Sequence, residues 1–303
     1  MATQEGTYYV PEQSKLPLMM SLGMFVTVFG AANWINGTDI GMTTFFVGAL
    51  IIAATMWVWF GTTIRENLAG MNSAQLKRSY VWGMFWFIFS EVMFFAAFFG
   101  ALFYLRVFSV SWLGGEGTGD VTNQLLWDGF TPEWPPLTTP DMVKNIDSPD
   151  AIKFPGAHEA MSWKGLPLVN TALLLTSSVT VHFAHVALKN AKKNQFNILL
   201  GLTVLLGAAF LVCQVEEYHH AYTELGLTLH AGVYGTTFFM LTGFHGAHVT
   251  FGTTMLLIMW LRSVLKGHFN HHDCFGFEAA SWYWHFVDVV WVGLFFFVYI
   301  LGS

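Results

Sequence analysis

Seven apolar runs alternate with polar connections along this chain, at 17–35, 41–62, 79–105, 166–188, 197–219, 232–262 and 280–302. A bilayer core about 30 Å thick is crossed by roughly 20 helical residues rising ~1.5 Å each, and every run is near or above that length. The pattern predicts an all-α, polytopic membrane protein of seven transmembrane helices. Three segments follow: 1–108, an N-terminal tail with helices one to three; 109–165, a long extramembrane loop; and 166–303, helices four to seven.

Composition agrees with a membrane protein. Hydrophobic residues make up 54% of the 303, aromatics 17% and charged residues only 11%. Thirty Phe and thirteen Trp lie far from soluble-domain usage, so the pair of soluble domains that length alone would allow is excluded. The tail, Met1 to Lys15, is polar, mixed in charge and without a basic leader or cleavage motif, so neither a signal nor a transit peptide is expected. Cys213 and Cys274 stand far apart without CxxC spacing, which offers no disulfide framework, iron–sulfur site or zinc ribbon.

Lys and Arg set the orientation. With the N-terminus inside, the inside connections hold Lys15, Arg65, Lys77, Arg78, Lys189, Lys192, Lys193, Arg262 and Lys266, nine of the thirteen. Arg106, Lys144, Lys153 and Lys164 fall outside, three of them in a long loop whose charge counts for less. The expectation is N-inside and C-outside. That loop also carries Glu116, Asp120, Asp128, Glu133, Asp141, Asp147, Asp150 and Glu159 against three lysines. Most of the net charge of −6 therefore sits on it. It reads either as a solvated cap over helix ends or as a surface for a basic partner.

One residue breaks the third run. Glu91 is the only ionisable side chain between Tyr80 and Leu105 apart from Tyr104 at the end. A carboxylate at mid-depth costs about 3 kcal/mol on insertion scales, so it needs a partner or a function. Its own helix face offers Met84, Phe87, Ile88, Phe94, Phe95 and Phe98, none of which neutralises charge. Two readings stand: a neutral acid hydrogen-bonded to another span, with His245 or His248 as partner, or a direct part in proton handling. Just beyond it, Ala96-x-x-x-Gly100 and Ala97-x-x-x-Ala101 are small-residue pairs that suit close helix approach.

The twelve histidines raise the question of haem or copper. His182 and His185, and again His245 and His248, share a helix face at i, i+3. Each such pair is equally served by a hydrogen bond to a neighbouring helix, and the doublets His219-His220 and His271-His272 sit at membrane edges. No metal ligands are expected on this chain. His285 has Asp288 one turn away, and a structural His285–Asp288 pair is expected instead. Aromatics and cations meet at inside span ends: Trp57, Trp59 and Phe60 precede Arg65-Glu66, and Arg262 precedes Lys266 and His268. They suit an anionic phospholipid or, equally, ordinary interfacial anchoring.

Several stretches are longer and more unusual than composition explains. Ser90-Glu91-Val92, Thr242-Gly-Phe-His245-Gly-Ala-His248-Val249, Phe275-Gly-Phe-Glu278-Ala-Ala and Trp282-Tyr-Trp-His285-Phe-Val-Asp288-Val-Val-Trp291 resemble subunit III of cytochrome c oxidase, over roughly 17–108 and 166–303. The resemblance implies a cofactor-free accessory subunit of a proton-pumping oxidase. Haem and copper then belong to partner subunits I and II, with subunit I as the main contact. It implies a two-helix and a five-helix bundle with a phospholipid cleft, and support for proton uptake and stability under turnover. By motif, Glu91 becomes the family's buried carboxyl, and Trp59, Arg65, Glu66, His248, Arg262 and His268 become lipid contacts. Two departures stand out: the 109–165 loop is far longer than the mitochondrial connection, and 67–78 is shorter and lacks the family's histidines. They suggest a bacterial inner-membrane version. A five-span subunit III is usual in quinol oxidases, so seven spans favour cytochrome c as donor. The competing class is a proton-coupled transporter using Glu91, although no repeated pair of broken spans is present.

Overall fold

The computed structural model describes residues 13–269 and 274–302. Among them, seven helices are long and apolar enough to cross a membrane, and no strand occurs. We label them α1 (Leu16–Ile35), α2 (Gly41–Leu68), α3 (Ala74–Tyr104), α4 (Leu166–Lys189), α5 (Lys193–Thr223), α6 (Gly232–Leu261) and α7 (Phe275–Leu294). The last turns of α3, α6 and α7 continue in π-type geometry, over Leu105–Ser109, Arg262–Lys266 and Phe295–Ile300. The predicted spans are all present, and several helices overrun them: α2 takes in Arg65 and Glu66, and α7 begins five residues early with Glu278 in its first turn. Hydropathy marks only the part of a helix that meets hydrocarbon. The helix itself runs on while backbone hydrogen bonding continues. The expectations for the first twelve residues and for His271-His272 lie outside the described residues.

The chain divides into two compact units, 1–83 and 84–303. The first is built on the α1–α2 hairpin, turned at Gly37 with φ +74°. Its helices meet backbone to backbone through glycines spaced seven apart on each. A Cβ on Gly30 would run into the backbone of Phe45, one on Gly41 into that of Trp34, and one on Gly48 into that of Thr27. Small residues that let backbones touch are how apolar helices associate where the hydrophobic effect supplies no drive.

The second unit is centred on Trp284 and Trp291 of α7, both fully buried. Trp284 lies where Gly207 of α5 and Gly252 of α6 leave room: a Cβ on either would stand 2.8 Å from the indole. Both indole N–H groups are satisfied from α4, Trp284 donating to Ser177 Oγ and Trp291 to Thr171 Oγ1, each at 2.9 Å. A buried indole without an acceptor would cost about 1–3 kcal/mol, so Ser177 and Thr171 of α4 decide how α7 docks. The small residues of α3 behave differently from expectation. Ala96, Ala97, Gly100 and Ala101 are exposed, and a Cβ on Gly100 would meet nothing within 4 Å. Among the described residues of the second unit their face makes no close helix approach, because α3 turns Phe95 and Leu102 inward instead.

The 109–165 loop is folded. Phe130, Ala157 and Met161 are buried, the backbone N–H of His158 donates to the Leu225 carbonyl at 2.8 Å, and that of Met161 to the Tyr234 hydroxyl at 3.0 Å. Asp141 organises the loop. Its Oδ2 accepts the backbone N–H groups of Lys153 and Phe154 at 2.6 and 3.0 Å. The N–H of Phe154 is the larger cause, that of Lys153 the next, holding this carboxyl below the usual carboxylate range.

Candidate functional site

Glu91 has its partner on α6. Its Oε2 lies 2.9 Å from His248 Nε2, and both side chains are largely buried, 23% and 13% exposed. Of the two partners weighed from sequence, α6 presents His248 and sends His245 elsewhere. His245, wholly buried, donates from Nε2 to the Val287 carbonyl at 3.1 Å. The i, i+3 spacing places both rings on one side of α6, and the difference of one turn splits them between α3 and α7.

The hydrogen bonding of His248 defines what the pair can carry. Its Nδ1 lies 2.6 Å from the Phe244 carbonyl, which only accepts, so Nδ1 holds a hydrogen. Between Nε2 and Oε2 there is then room for one shared proton. The pair is either acid with neutral imidazole or carboxylate with imidazolium, and in both forms its net charge is zero. A third form, carboxylate against the bare Nε2 lone pair, is repulsive. Net neutrality is what permits this pair in an apolar span. Aromatic rings close round it: Phe95 meets the imidazole edge-on at 4.9 Å, Phe94 lies at 5.8 Å, and Tyr283 stacks at 6.4 Å.

His285 and Asp288 stand 3.7 Å apart, beyond hydrogen-bond length. The nearer contact of the ring is from Nδ1 to Ser178 Oγ at 2.9 Å, which ties α7 to α4. The expected His285–Asp288 pair is thus a longer contact within α7, and Ser178 supplies the tie between the helices.

The lipid candidates divide. Trp59, Arg65 and Glu66 lie on α2 in the first unit, where Arg65 is exposed and donates to the Gly61 carbonyl and Thr62 Oγ1, both at 3.2 Å. Arg262 and His268 lie in the second, with the guanidinium 4.8 Å over the Phe269 ring. His268 is half-buried, and desolvation first, then the charges of Arg262 and Lys266, keep its ring below the ordinary histidine range. It is therefore a neutral hydrogen-bonding group at pH 7. His248, by contrast, is hydrogen-bonded within the protein. Both of its nitrogens are taken, by Phe244 and Glu91, so none remains for a headgroup.

Two carboxyls escaped the sequence reading. Glu217 of α5 is 1% exposed and accepts the Tyr299 hydroxyl at 2.5 Å. In sequence it sits beside Glu216 near a span end, a position that carries no signal of burial. Glu278 meets His185 Nε2 at 2.9 Å and Lys189 Nζ at 3.4 Å, both from α4. The Cys274, Glu278 and His185 donor atoms all lie within 4.8 Å of one another. That set was not foreseen, since no metal ligands were expected. The only signal was an acid four residues after a cysteine, opposite a basic span end. His182, its supposed companion, is exposed and takes no part.

Comparison with known proteins completes the picture. The family model described as cytochrome c oxidase subunit III matches 6–118 and 152–303. The unmatched stretch lies inside the acidic loop. A protein named cytochrome c oxidase subunit 3 from Danio rerio is 37% identical over 306 residues, covering the whole of both chains. The one from Mus musculus is 34% identical over 304 residues, again covering both. That from Drosophila melanogaster is 36% identical over 297, covering 98% of this chain and 97% of its own. These relatives are animal proteins. The expected bacterial type, in a bacterial inner membrane, is not borne out by them. The transporter reading of Glu91 likewise gives way to an oxidase subunit, because the likeness runs the length of the chain.

Proposed function

The chain belongs to the cytochrome c oxidase subunit III family, and from that premise we propose that it serves as the cofactor-free, lipid-binding subunit that steadies the catalytic subunits. It is a multi-pass membrane subunit of an oxidoreductase complex. It carries no active site, packs chiefly on subunit I and also on subunit II, and leaves haem and copper to them. It stands N-inside and C-outside, supports proton uptake and prolongs activity under turnover. The acidic loop faces the side from which cytochrome c approaches.

One observation carries this reading: three carboxyls inside the second unit join its helices to one another. Glu91 is joined to His248, Glu278 to His185, and Glu217 to Tyr299, each across two helices. Groups so engaged make a scaffold. Arg65 lies exposed near the end of α2, the helix that also carries the exposed Trp57 and Trp59, at a level suited to a phospholipid phosphate.

The test is lipid retention. A cation near a headgroup is worth about 1 kcal/mol, so Arg65→Ala and Arg262→Ala should each weaken retention of a phospholipid roughly fivefold. Phosphorus counted per purified complex should fall, and the oxidase should inactivate in fewer turnovers from an unchanged initial rate. Unchanged phosphorus with an unchanged lifetime would leave both arginines as interfacial anchors.

A further inference from the structure

Cys274, Glu278 and His185 offer one sulfur, one carboxylate oxygen and one imidazole nitrogen, all within 4.8 Å of one another. Cys274 and Glu278 come from the start of α7, four residues apart and so on one face. His185 comes from the end of α4. Cys274 is 8% exposed, and the side chains of His185 and Glu278 are 23% and 22% exposed. All three are partly or fully buried, and Lys189 Nζ lies 3.4 Å from Glu278 Oε1.

We propose that these three residues form a binding site for a zinc-class divalent cation. Three protein ligands with a fourth position open to water is a familiar zinc arrangement, and Zn²⁺ accepts this mixture of donors. Zinc–nitrogen and zinc–oxygen bonds of ~2.0–2.2 Å and zinc–sulfur bonds of ~2.3 Å put tetrahedral ligand atoms roughly 3.4–3.6 Å apart. From the observed 2.9 Å between His185 and Glu278, that pair opens by about half an ångström, and any wider pair, within 4.8 Å, closes by at most about 1.2 Å. Side-chain rotation supplies both.

Charge favours the exchange. Binding releases one proton, from the Cys274 thiol to solvent, and leaves thiolate, carboxylate and neutral imidazole round Zn²⁺. The site is then neutral overall, as a half-buried place at the end of a membrane helix requires. Lys189, whose charge balances Glu278 without the ion, is 57% exposed and swings into water. The same carboxylate thus exchanges one cation for another. Cys213 sits elsewhere, on α5, and serves as an internal control.

The purified oxidase complex, with zinc chloride alone as the probe, tests this. N-ethylmaleimide labelling, measured residue by residue by mass spectrometry, should slow at least about tenfold at Cys274 when Zn²⁺ is present, since a metal-bound thiolate is withdrawn from attack. Cys213 should be unaffected. His185→Gln should abolish the protection, and Glu278→Gln does the same work if the first variant fails to assemble. X-ray absorption at the zinc edge should show a sulfur neighbour in the parent complex that is reduced in Cys274→Ser. Labelling of Cys274 at one rate with and without Zn²⁺ would overturn the proposal. So would protection that survives in both variants.

Discussion

Removing either member of the Glu91–His248 pair should do more harm than removing its charge. Glu91→Gln replaces an O–H donor with an N–H donor, and His248 Nε2 can accept from it because Phe244 holds the hydrogen on Nδ1. Only the extra strength of a charge-assisted bond is lost, about 1 kcal/mol or less. His248→Leu leaves the carboxyl facing Phe94 and Phe95. An unmet buried polar group costs about 1–3 kcal/mol, and the 23% exposure of Glu91 places the expected cost in the lower half of that range. Glu91→Lys sets an ammonium among the same rings at about 3 kcal/mol. The double variant Glu91→Leu/His248→Leu removes both polar groups and should cost less than the two single Leu variants added together, by about 1–2 kcal/mol. The assay is the midpoint temperature at which this subunit leaves the detergent-solubilised oxidase, together with the fraction assembled when a partner subunit is tagged. If Gln proved as damaging as Lys, or the two Leu effects simply added, the one-proton account of the pair would be wrong.

Gly30→Val should split the α1–α2 hairpin, costing about 3 kcal/mol or more, since the new side chain meets the Phe45 backbone, which cannot rotate away. Proteolysis of the connection between the two helices should rise sharply, whereas Gly83→Ala, whose Cβ meets open space, should behave as the parent. Asp141 confers acid sensitivity on the loop. Its folded pKa is lowered, so its contribution is complete above the ordinary carboxylate value of about 3.9 and is lost as pH falls through the lower folded value. Hydrogen exchange at the Lys153 and Phe154 amides, corrected for intrinsic rates, should accelerate over that acid window, and in Asp141→Ala it should already be fast at pH 7. Exchange that is slow in the variant at pH 7 would refute the role given to this carboxylate.

The number and order of the spans, and the all-helical class, were legible in the chain alone, because a bilayer forces every spanning segment to be apolar over a set length. So was the singularity of Glu91, since one acid among so many Phe residues stands out at any depth. Its motif neighbourhood likewise pointed to the family that the comparisons show. What the chain could not express was rotation about each helix axis. Whether α6 turns His245 or His248 toward α3, whether Ala96 and Gly100 face a helix or the exterior, and whether His285 reaches Asp288 or Ser178 all depend on how side chains of several helices interlock. The glycines of α1 and α2 show the same limit: their spacing is printed in the sequence, but only backbones in contact reveal that no other residue fits. Cys274, Glu278 and His185 are the clearest case. The distance between positions 185 and 274 along the chain carries no signal, and only the docking of α7 on α4, decided by two indoles and their hydroxyl partners, brings the three donors together.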